Sequence, residues 1–273
     1  MATTADSITN ALAPSRQAFF HSIWQDHWPK LNLTSASKVF TFDVELAETL
    51  LSWLKDSHYD LPYSITIPSN PAEKVIDPTL AKIANIHVLD RGSAPEDDSI
   101  THALAYIGLF RTDDDSVSST SKRIFYSLIP KGVAIVSVTK YNPIDSILRS
   151  VLSISGGRRP SSAFSGLTET VTPAAGTATD LDLRNLAEKA GFELGKVRVS
   201  ERSILVGGDE LRRLRSEVLR ILDAAKGQQG DAQSWESGFD EAWEREIRDR
   251  GEGRGLRVEC WVLVAMKWDL LCA

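Results

Sequence analysis

Residues 121–139 contain a helix, a turn and a strand in immediate succession. The segment from Ile124 to Val136 reads IFYSLIPKGVAIV, and the strand continues as far as Thr139. A short helix is predicted from Ser121 to Leu128, and Pro130 with Gly132 predicts the turn that closes it. The β-branched and apolar run from Val133 to Thr139 is the clearest strand signal in the chain.

Outward from this segment, strands and helices alternate along the chain. Predicted strands cover Lys38–Asp43, Tyr63–Ser69, Ala84–Asp90, Ser99–Phe110, Val133–Thr139, Phe192–Ser203 and Arg257–Lys267. Predicted helices cover Pro14–Lys30, ended by Pro29, a segment containing Leu46 to Leu54, Pro78–Ala84, Ser121–Leu128, a segment containing Ile144 to Val151, Leu181–Ala190 capped by Asp180, Asp209–Ala225 and Gln233–Arg250. This alternation favours an α/β fold with a mainly parallel sheet covered on both faces.

The order of elements favours one α/β domain with additions. Residues 1–37 are predicted to form an N-terminal helical cover, and residues 38–273 the α/β domain. Within that domain, the Ser/Thr/Gly/Pro-rich residues 153–179 predict a long loop or lid, and loops of this length are often functional. Residues 209–250 form a helical insertion before the last strand. Its apolar stripe either covers the sheet edge or forms a homodimer surface.

The composition excludes several classes of protein. The 273 residues are 42% hydrophobic and 25% charged, which is ordinary for a globular protein, and the net charge of -6 gives no general attraction to nucleic acid or anionic membranes. Two cysteines, Cys260 and Cys272, provide neither a disulfide framework nor zinc-ligand spacing. With no secretory signal and no membrane-length apolar run, we expect a cytoplasmic protein without a metal.

Three patterns resemble the class I S-adenosylmethionine-dependent methyltransferases. The helix, Pro-Lys-Gly turn and strand at 124–136 are similar to the segment before the fifth strand of that family. Leu183 to Leu194, with Ala190-Gly191-Phe192, is similar to its helix before the sixth strand, and Trp261 to Lys267 to its closing strand. The resemblance covers about residues 38–267 and implies a Rossmann-like, seven-stranded sheet whose last strand is antiparallel.

The resemblance also locates a cofactor site that departs from the family pattern. It places the glycine-rich turn at 43–47, yet no glycine occurs between Lys38 and Arg91. Asp43 and Glu45 would instead set carboxylates beside the cofactor's own carboxylate, at a cost on the order of 1–4 kcal/mol. Ser69 stands where an acidic residue usually holds the ribose, and Asp90 matches the adenine-side acidic position. The cofactor is therefore left unassigned, with S-adenosylmethionine as one candidate.

The predicted N-terminal helix carries an aromatic cluster that could close over a ligand. Trp24 and Trp28 could stack on an apolar molecule, and His27 could act as acid or base near neutral pH. The competing interpretation is that the tryptophans dock the helix on the core and that His21 and His27 face solvent.

Further candidates follow from the rule that ligands bind beyond the carboxyl ends of parallel strands. Tyr106, Gly108 and Arg111 end one predicted strand, and Arg111 could hold a substrate carboxylate or pair with a nearby aspartate. Lys140, Tyr141 and Asn142 follow the strand at 133–139. Asn142 could instead cap the next helix, with Pro143 at its first position.

These observations predict a methyltransferase-like enzyme of small-molecule, natural-product metabolism that carries out a non-methylating step such as cyclisation or isomerisation. His27, Tyr106, Arg111 and Tyr141 are the candidate catalytic residues. Two alternatives stay open: a methyltransferase with an altered cofactor loop, and a non-catalytic pseudoenzyme that binds a partner protein.

Overall fold

The computed structural model describes residues 11–42, 44–68, 85–90, 93–107, 122–154, 179–226 and 233–268. Seven strands form one sheet: β1 (Lys38–Thr41), β2 (Ser64–Pro68), β3 (Asn85–Leu89), β4 (Ile100–Ile107), β5 (Leu128–Tyr141), β6 (Val197–Val206) and β7 (Leu256–Met266). Their order across the sheet is β3-β2-β1-β4-β5-β7-β6. Strands β1 to β5 pair in parallel, and β7 is antiparallel to both β5 and β6. The predicted α/β class and the antiparallel last strand are confirmed.

Strand β5 is longer than the sequence predicts. It begins at Leu128, so the Pro-Lys-Gly segment is an irregularity inside the strand rather than a turn before it. The pairing with β4 shifts between Ile100 and His102, and Lys131 adopts a positive φ of 66°. A Cβ at Gly132 would lie 2.8 Å from a Leu128 methyl group and 2.9 Å from the Ile129 oxygen. The irregular segment of β5 therefore requires glycine at this position.

Seven helices accompany the described strands: α1 (Ala13–Leu31), α2 (Val44–Asp56), α3 (122–127), α4 (Pro143–Ile154), α5 (Asp180–Ala190), α6 (Gly208–Lys226) and α7 (Gln233–Asp249). Pro29 does not end α1, because a proline this close to the C-terminus removes only one hydrogen bond. The cap of α5 is Thr179 rather than Asp180: its hydroxyl accepts from the Asp182 N–H, and the Asp182 side chain accepts from the Thr179 N–H. The predicted helix at 78–84 lies outside the described residues.

Each face of the sheet has its own core. Helices α1, α2, α4, α6 and α7 share the larger one, with Ile23, Leu50, Ile147, Val218 and Trp243 all buried. Helices α3 and α5 cover the opposite face. Apolar residues of α6 and α7 therefore pack inside the molecule, as the sheet-covering interpretation of the insertion predicts.

Helix α1 crosses the face of the sheet rather than lying along its carboxyl edge. At its start, the Ser15 hydroxyl donates to Glu210 Oε2 at 2.5 Å, beside the end of β6. At its end, the Leu31 backbone hydrogen-bonds to His102 near the start of β4. Only the first turns of α1 therefore reach the edge where ligands bind in this kind of sheet.

Candidate functional site

The connection after β1 is short and contains no glycine. Strand β1 ends at Thr41 and α2 begins at Val44, so only Phe42 and Asp43 join them. The Phe42 N–H donates to the Leu104 oxygen at 3.2 Å, and its ring lies 4.8 Å from that of Phe40. Phe42 is thus tied to the sheet rather than forming an open backbone cradle, and Asp43 lies outside the described residues.

An ion pair between a buried arginine and a partly exposed glutamate lies beside this turn. Arg16 in the first turn of α1 is only 5% exposed, and its Nη1 is 3.1 Å from Glu45 Oε2 in the first turn of α2. The guanidinium also lies 5.1 Å from the centre of the Tyr106 ring. Among the described residues, Arg16 Nε is buried without a hydrogen-bond partner. Glu45 thus supplies the anion that a buried guanidinium requires.

Tyr106, predicted to be catalytic, lies under this ion pair. The Phe20 ring meets it edge-on at 5.4 Å, and its hydroxyl is 3.4 Å from Thr139 Oγ1. Burial raises the pKa of Tyr106 well above its usual value, and burial likewise raises the pKa of nearby Cys260 to about 12. Both groups are therefore neutral at physiological pH. Cys260 is fully buried, whereas Tyr106 is partly buried.

A second polar cluster lies at the end of β5. The Tyr141 hydroxyl donates to Glu246 Oε1 at 2.7 Å, and the Ser146 hydroxyl donates to the same oxygen at 2.6 Å. The Arg250 guanidinium lies 3.8 Å from the centre of the Tyr141 ring. All four residues are at least partly exposed. Within Glu246, however, the Oε2 atom is buried. The structure therefore joins one predicted residue, Tyr141, to three that sequence reasoning missed.

Lys140 and Asn142 make contacts of other kinds. Lys140 Nζ lies 2.8 Å from Glu201 Oε1 and 3.4 Å from Glu259 Oε2, and the hydrogen bond to Glu201 is the main reason that its pKa is raised. Asn142 Oδ1 accepts from the Ile144 N–H at 3.0 Å, and Pro143 is the first residue of α4. Asn142 therefore makes the capping contact that the competing interpretation predicts.

The tryptophans of α1 dock that helix onto α2. Trp24 is 1% exposed, and its ring centre lies 5.6 Å from that of Trp53 on α2. Trp28 stacks on Tyr59 at 3.9 Å and meets Trp53 edge-on at 5.3 Å. These contacts are those of the docking interpretation.

The histidines of α1 are not simply solvent-facing. His21 and His27 are both half-buried, and each has a buried Nε2 without a partner among the described residues. His21 lies against α2, where it contacts Trp53, whereas His27 lies towards the arginines of β6. The two rings thus flank α1 on opposite sides.

The remaining predicted site residues cannot be assembled into one site. Asp90 follows β3, is exposed, and its backbone oxygen accepts from the Ser93 N–H at 2.9 Å. Asp43, Ser69, Gly108 and Arg111 lie outside the described residues. The described part of the chain contains no cluster of three potential metal ligands, and none of its helices has the length and apolar character needed to cross a membrane.

An apolar pocket lies on the second face of the sheet. Its lining is entirely aliphatic or aromatic and includes Val138 on β5, Leu186 on α5 and Phe192. Its volume is about 20 Å³ and most of its lining residues belong to the buried core of that face, so it is a small gap in the packing rather than a site at the sheet edge.

The strand order and the solved structures together define the fold. This chain has the Rossmann-like fold of the class I S-adenosylmethionine-dependent methyltransferases. No family model and no curated protein matches the sequence.

Three solved structures illustrate the similarity. A Bacillus halodurans protein assigned as a methyltransferase has a TM-score of 0.50 at 10% identity, over 91% of this chain and 100% of that one. YcgJ from Bacillus subtilis has a TM-score of 0.49 at 11% identity, over 88% and 95%. The 4+2 cyclase SpnF has a TM-score of 0.47 at 14% identity, over 91% and 80%. Identities this low establish the fold alone.

The residues after β1 do not fit S-adenosylmethionine in the manner that the fold implies. Glycine is absent, the connection is two residues long, and Phe42 is bound to the sheet. If the cofactor were bound as the resemblance implies, Glu45 would place a carboxylate beside that of the cofactor, and Arg16 is already engaged by Glu45. Both the shape and the charge of this end of the sheet therefore disfavour the cofactor.

Proposed function

We propose that this chain is an enzyme that binds a small, largely apolar molecule at the carboxyl edge of its sheet and rearranges it, by cyclisation or isomerisation, without methyl transfer. The observation that carries the proposal is the connection after β1, with no glycine and with Glu45 paired to buried Arg16. A scaffold that has lost the usual cofactor turn retains the edge itself as a binding site.

The described edge suits this kind of chemistry. Tyr141, Ser146 and Glu246 provide hydrogen-bonding groups at the same end of the sheet. Holding a reactive conformer of a ligand against such groups accelerates an intramolecular step because the entropy of orientation is lost on binding, before the transition state.

A second candidate function, a methyltransferase with an altered cofactor site, is favoured by one observation. Arg16 Nε is buried without a partner among the described residues, so the guanidinium has hydrogen-bonding capacity that Glu45 leaves unused. A cofactor carboxylate that displaced Glu45 would engage this guanidinium.

Calorimetry distinguishes the two functions. The purified full-length chain is titrated with S-adenosylmethionine and, separately, with S-adenosylhomocysteine. We expect no binding tighter than about 1 mM, which corresponds to about −4 kcal/mol. Micromolar binding of either compound would overturn the proposal. The Glu45→Gln variant sharpens the test, because micromolar binding that appears only in this variant would show that Glu45 is what excludes the cofactor.

The activity itself is tested without a cofactor. Compounds that co-purify with the chain are identified by mass spectrometry, and each is incubated with fresh enzyme. We expect an isomer of unchanged mass to appear only in the presence of the chain. A product heavier by one methylene unit that forms only when S-adenosylmethionine is added would support the second function, and an unchanged pool would reject both.

A further inference from the structure

The two carboxylate oxygens of Glu246 differ in their hydrogen bonds. Oε1 accepts both the Tyr141 hydroxyl at 2.7 Å and the Ser146 hydroxyl at 2.6 Å. Oε2 is buried and has no hydrogen-bond partner within the described part of the chain. A buried carboxylate oxygen without a donor is unfavourable, so this arrangement is incomplete as it stands.

The directions of these hydrogen bonds define what is missing. A carboxylate only accepts, so Tyr141 and Ser146 must both direct their protons towards Glu246. Burial raises the pKa of Tyr141, so its hydroxyl keeps that proton. The remaining lone pairs of the two hydroxyls and of Oε2 are acceptors. The cluster therefore presents several acceptors and requires a donor.

The local charge balance indicates which donor is suitable. Arg250 Nη1 lies 3.3 Å from Glu259 Oε1, and Lys140 bridges Glu259 and Glu201. These two cations therefore face two carboxylates other than Glu246. Asp145 on α4 pairs with Arg149 of the same helix at 2.8 Å. The negative charge of Glu246 has no ion-pair partner in this set.

We propose that Glu246, together with Tyr141 and Ser146, binds a protonated amine of the small-molecule substrate. An ammonium group supplies up to three donors and one positive charge, which match the acceptors and the uncompensated carboxylate. This inference rests on the proposed function only in placing a small molecule at the carboxyl edge, and it is independent of the step catalysed there.

Matched probes test the site. The full chain is titrated with 2-phenylethylamine, 2-phenylethanol and phenylacetate, which share one apolar body and differ in the polar group, and binding is followed by ligand-observed NMR. We expect the amine to bind about tenfold more tightly than either other probe. The Glu246→Gln variant should lose this preference. The Glu244→Gln variant, which changes an exposed glutamate of the same helix, should retain it.

Three results would overturn the inference: equal binding of the probes, binding of none of them, or a preference for the amine that survives Glu246→Gln. If the Glu246→Gln variant does not fold, as judged by circular dichroism, the Tyr141→Phe and Ser146→Ala variants decide by the same criterion. A cluster that only fastens α7 to β5 would lower the melting temperature on substitution without any preference for the amine.

The failure of this inference is distinguishable from that of the proposed function. Micromolar binding of S-adenosylmethionine would overturn the non-methylating function while leaving a Glu246-dependent amine preference intact. Loss of the amine preference, with no cofactor binding and a cofactor-independent product, would overturn only the amine site.

Discussion

The carboxyl ends of β1 and β5 belong to the same edge of the sheet, yet their charges are balanced in opposite ways. At β1, Arg16 of α1 and Glu45 neutralise each other, and the Arg16 guanidinium lies over the Tyr106 ring. At β5, Glu246 receives two hydroxyl donors but no cation, and one of its oxygens is unpartnered among the described residues. At the end where the fold implies a cofactor, Arg16 is paired with Glu45, whereas at the end of β5 a Glu246 oxygen lacks a donor among the described residues.

Helix α1 packs over β1 and β4, and substitution of its central tryptophan should have the largest effect on the free energy of unfolding. Trp24→Ala removes a 1%-exposed side chain that contacts Phe20 and Trp53. We expect a loss of about 3–5 kcal/mol in the free energy of unfolding, measured by urea denaturation. Trp268→Ala is the control, because Trp268 is 43% exposed and lies against Lys196. Equal losses for the two variants would show that Trp24 does not hold α1 in place.

The free energy of unfolding should fall when one charge of the Arg16–Glu45 pair at the end of β1 is removed. Glu45→Gln leaves the buried Arg16 guanidinium without its anion. Because the Glu45 side chain is 36% exposed, water screens the pair, and we expect a loss of about 2 kcal/mol. The double variant Arg16→Met, Glu45→Gln should recover most of this loss, because no buried charge then lacks a partner. Denaturation of the two single variants and the double variant gives the coupling energy. Additive losses would contradict the interpretation that Arg16 and Glu45 form an ion pair.

The corresponding substitution at the end of β5, Glu246→Gln, should lower the free energy of unfolding less. Glu246→Gln keeps the shape of the side chain and can still accept from Tyr141 or Ser146, both partly exposed, so we expect a loss of about 1 kcal/mol or less. A loss for Glu246→Gln as large as that for Glu45→Gln would show that both ends are structural, which removes the basis of the comparison.

The smallest expected effect is a pH dependence of the free energy of unfolding that arises from the two histidines of α1. Burial is the largest factor lowering the pKa of both His21 and His27, with Lys30 and Arg202 lowering that of His27 further. The folded chain therefore binds fewer protons than the unfolded chain below the unfolded pKa of about 6.5. These groups cost no stability above that pH, and stability is lost as the pH falls from 6.5 through the lowered folded values.

Two variants measure this dependence. The unfolding free energy of the wild type and of the His21→Gln, His27→Gln double variant is determined at pH 7.5 and at pH 5.5. We expect the double variant to lose less stability between the two pH values. Identical losses would show that the histidines do not contribute.

The sequence predicts the fold well because strand and helix patterns are local. The predicted strand at 133–139 lies within β5, and the glycine-free segment after the first predicted strand forms the short connection between β1 and α2. The site was predictable only in part, since Arg16 meets Glu45 and Glu246 meets Tyr141 through contacts between distant segments. Arg16 did carry one signal: it falls on the same helical face as Phe20 and Ile23, where a charged residue must find a partner.

The contacts of Ser15 with Glu210 have a consequence for the order in which the chain matures. These residues are separated by 195 positions, so α1 leaves the ribosome long before the segment that anchors its first turn exists. A newly made α1 therefore exposes Phe19, Phe20 and Trp24 until most of the sheet has been synthesised. Contacts between such distant segments slow folding, and the exposed aromatic residues of α1 favour aggregation of the chain until the sheet is complete.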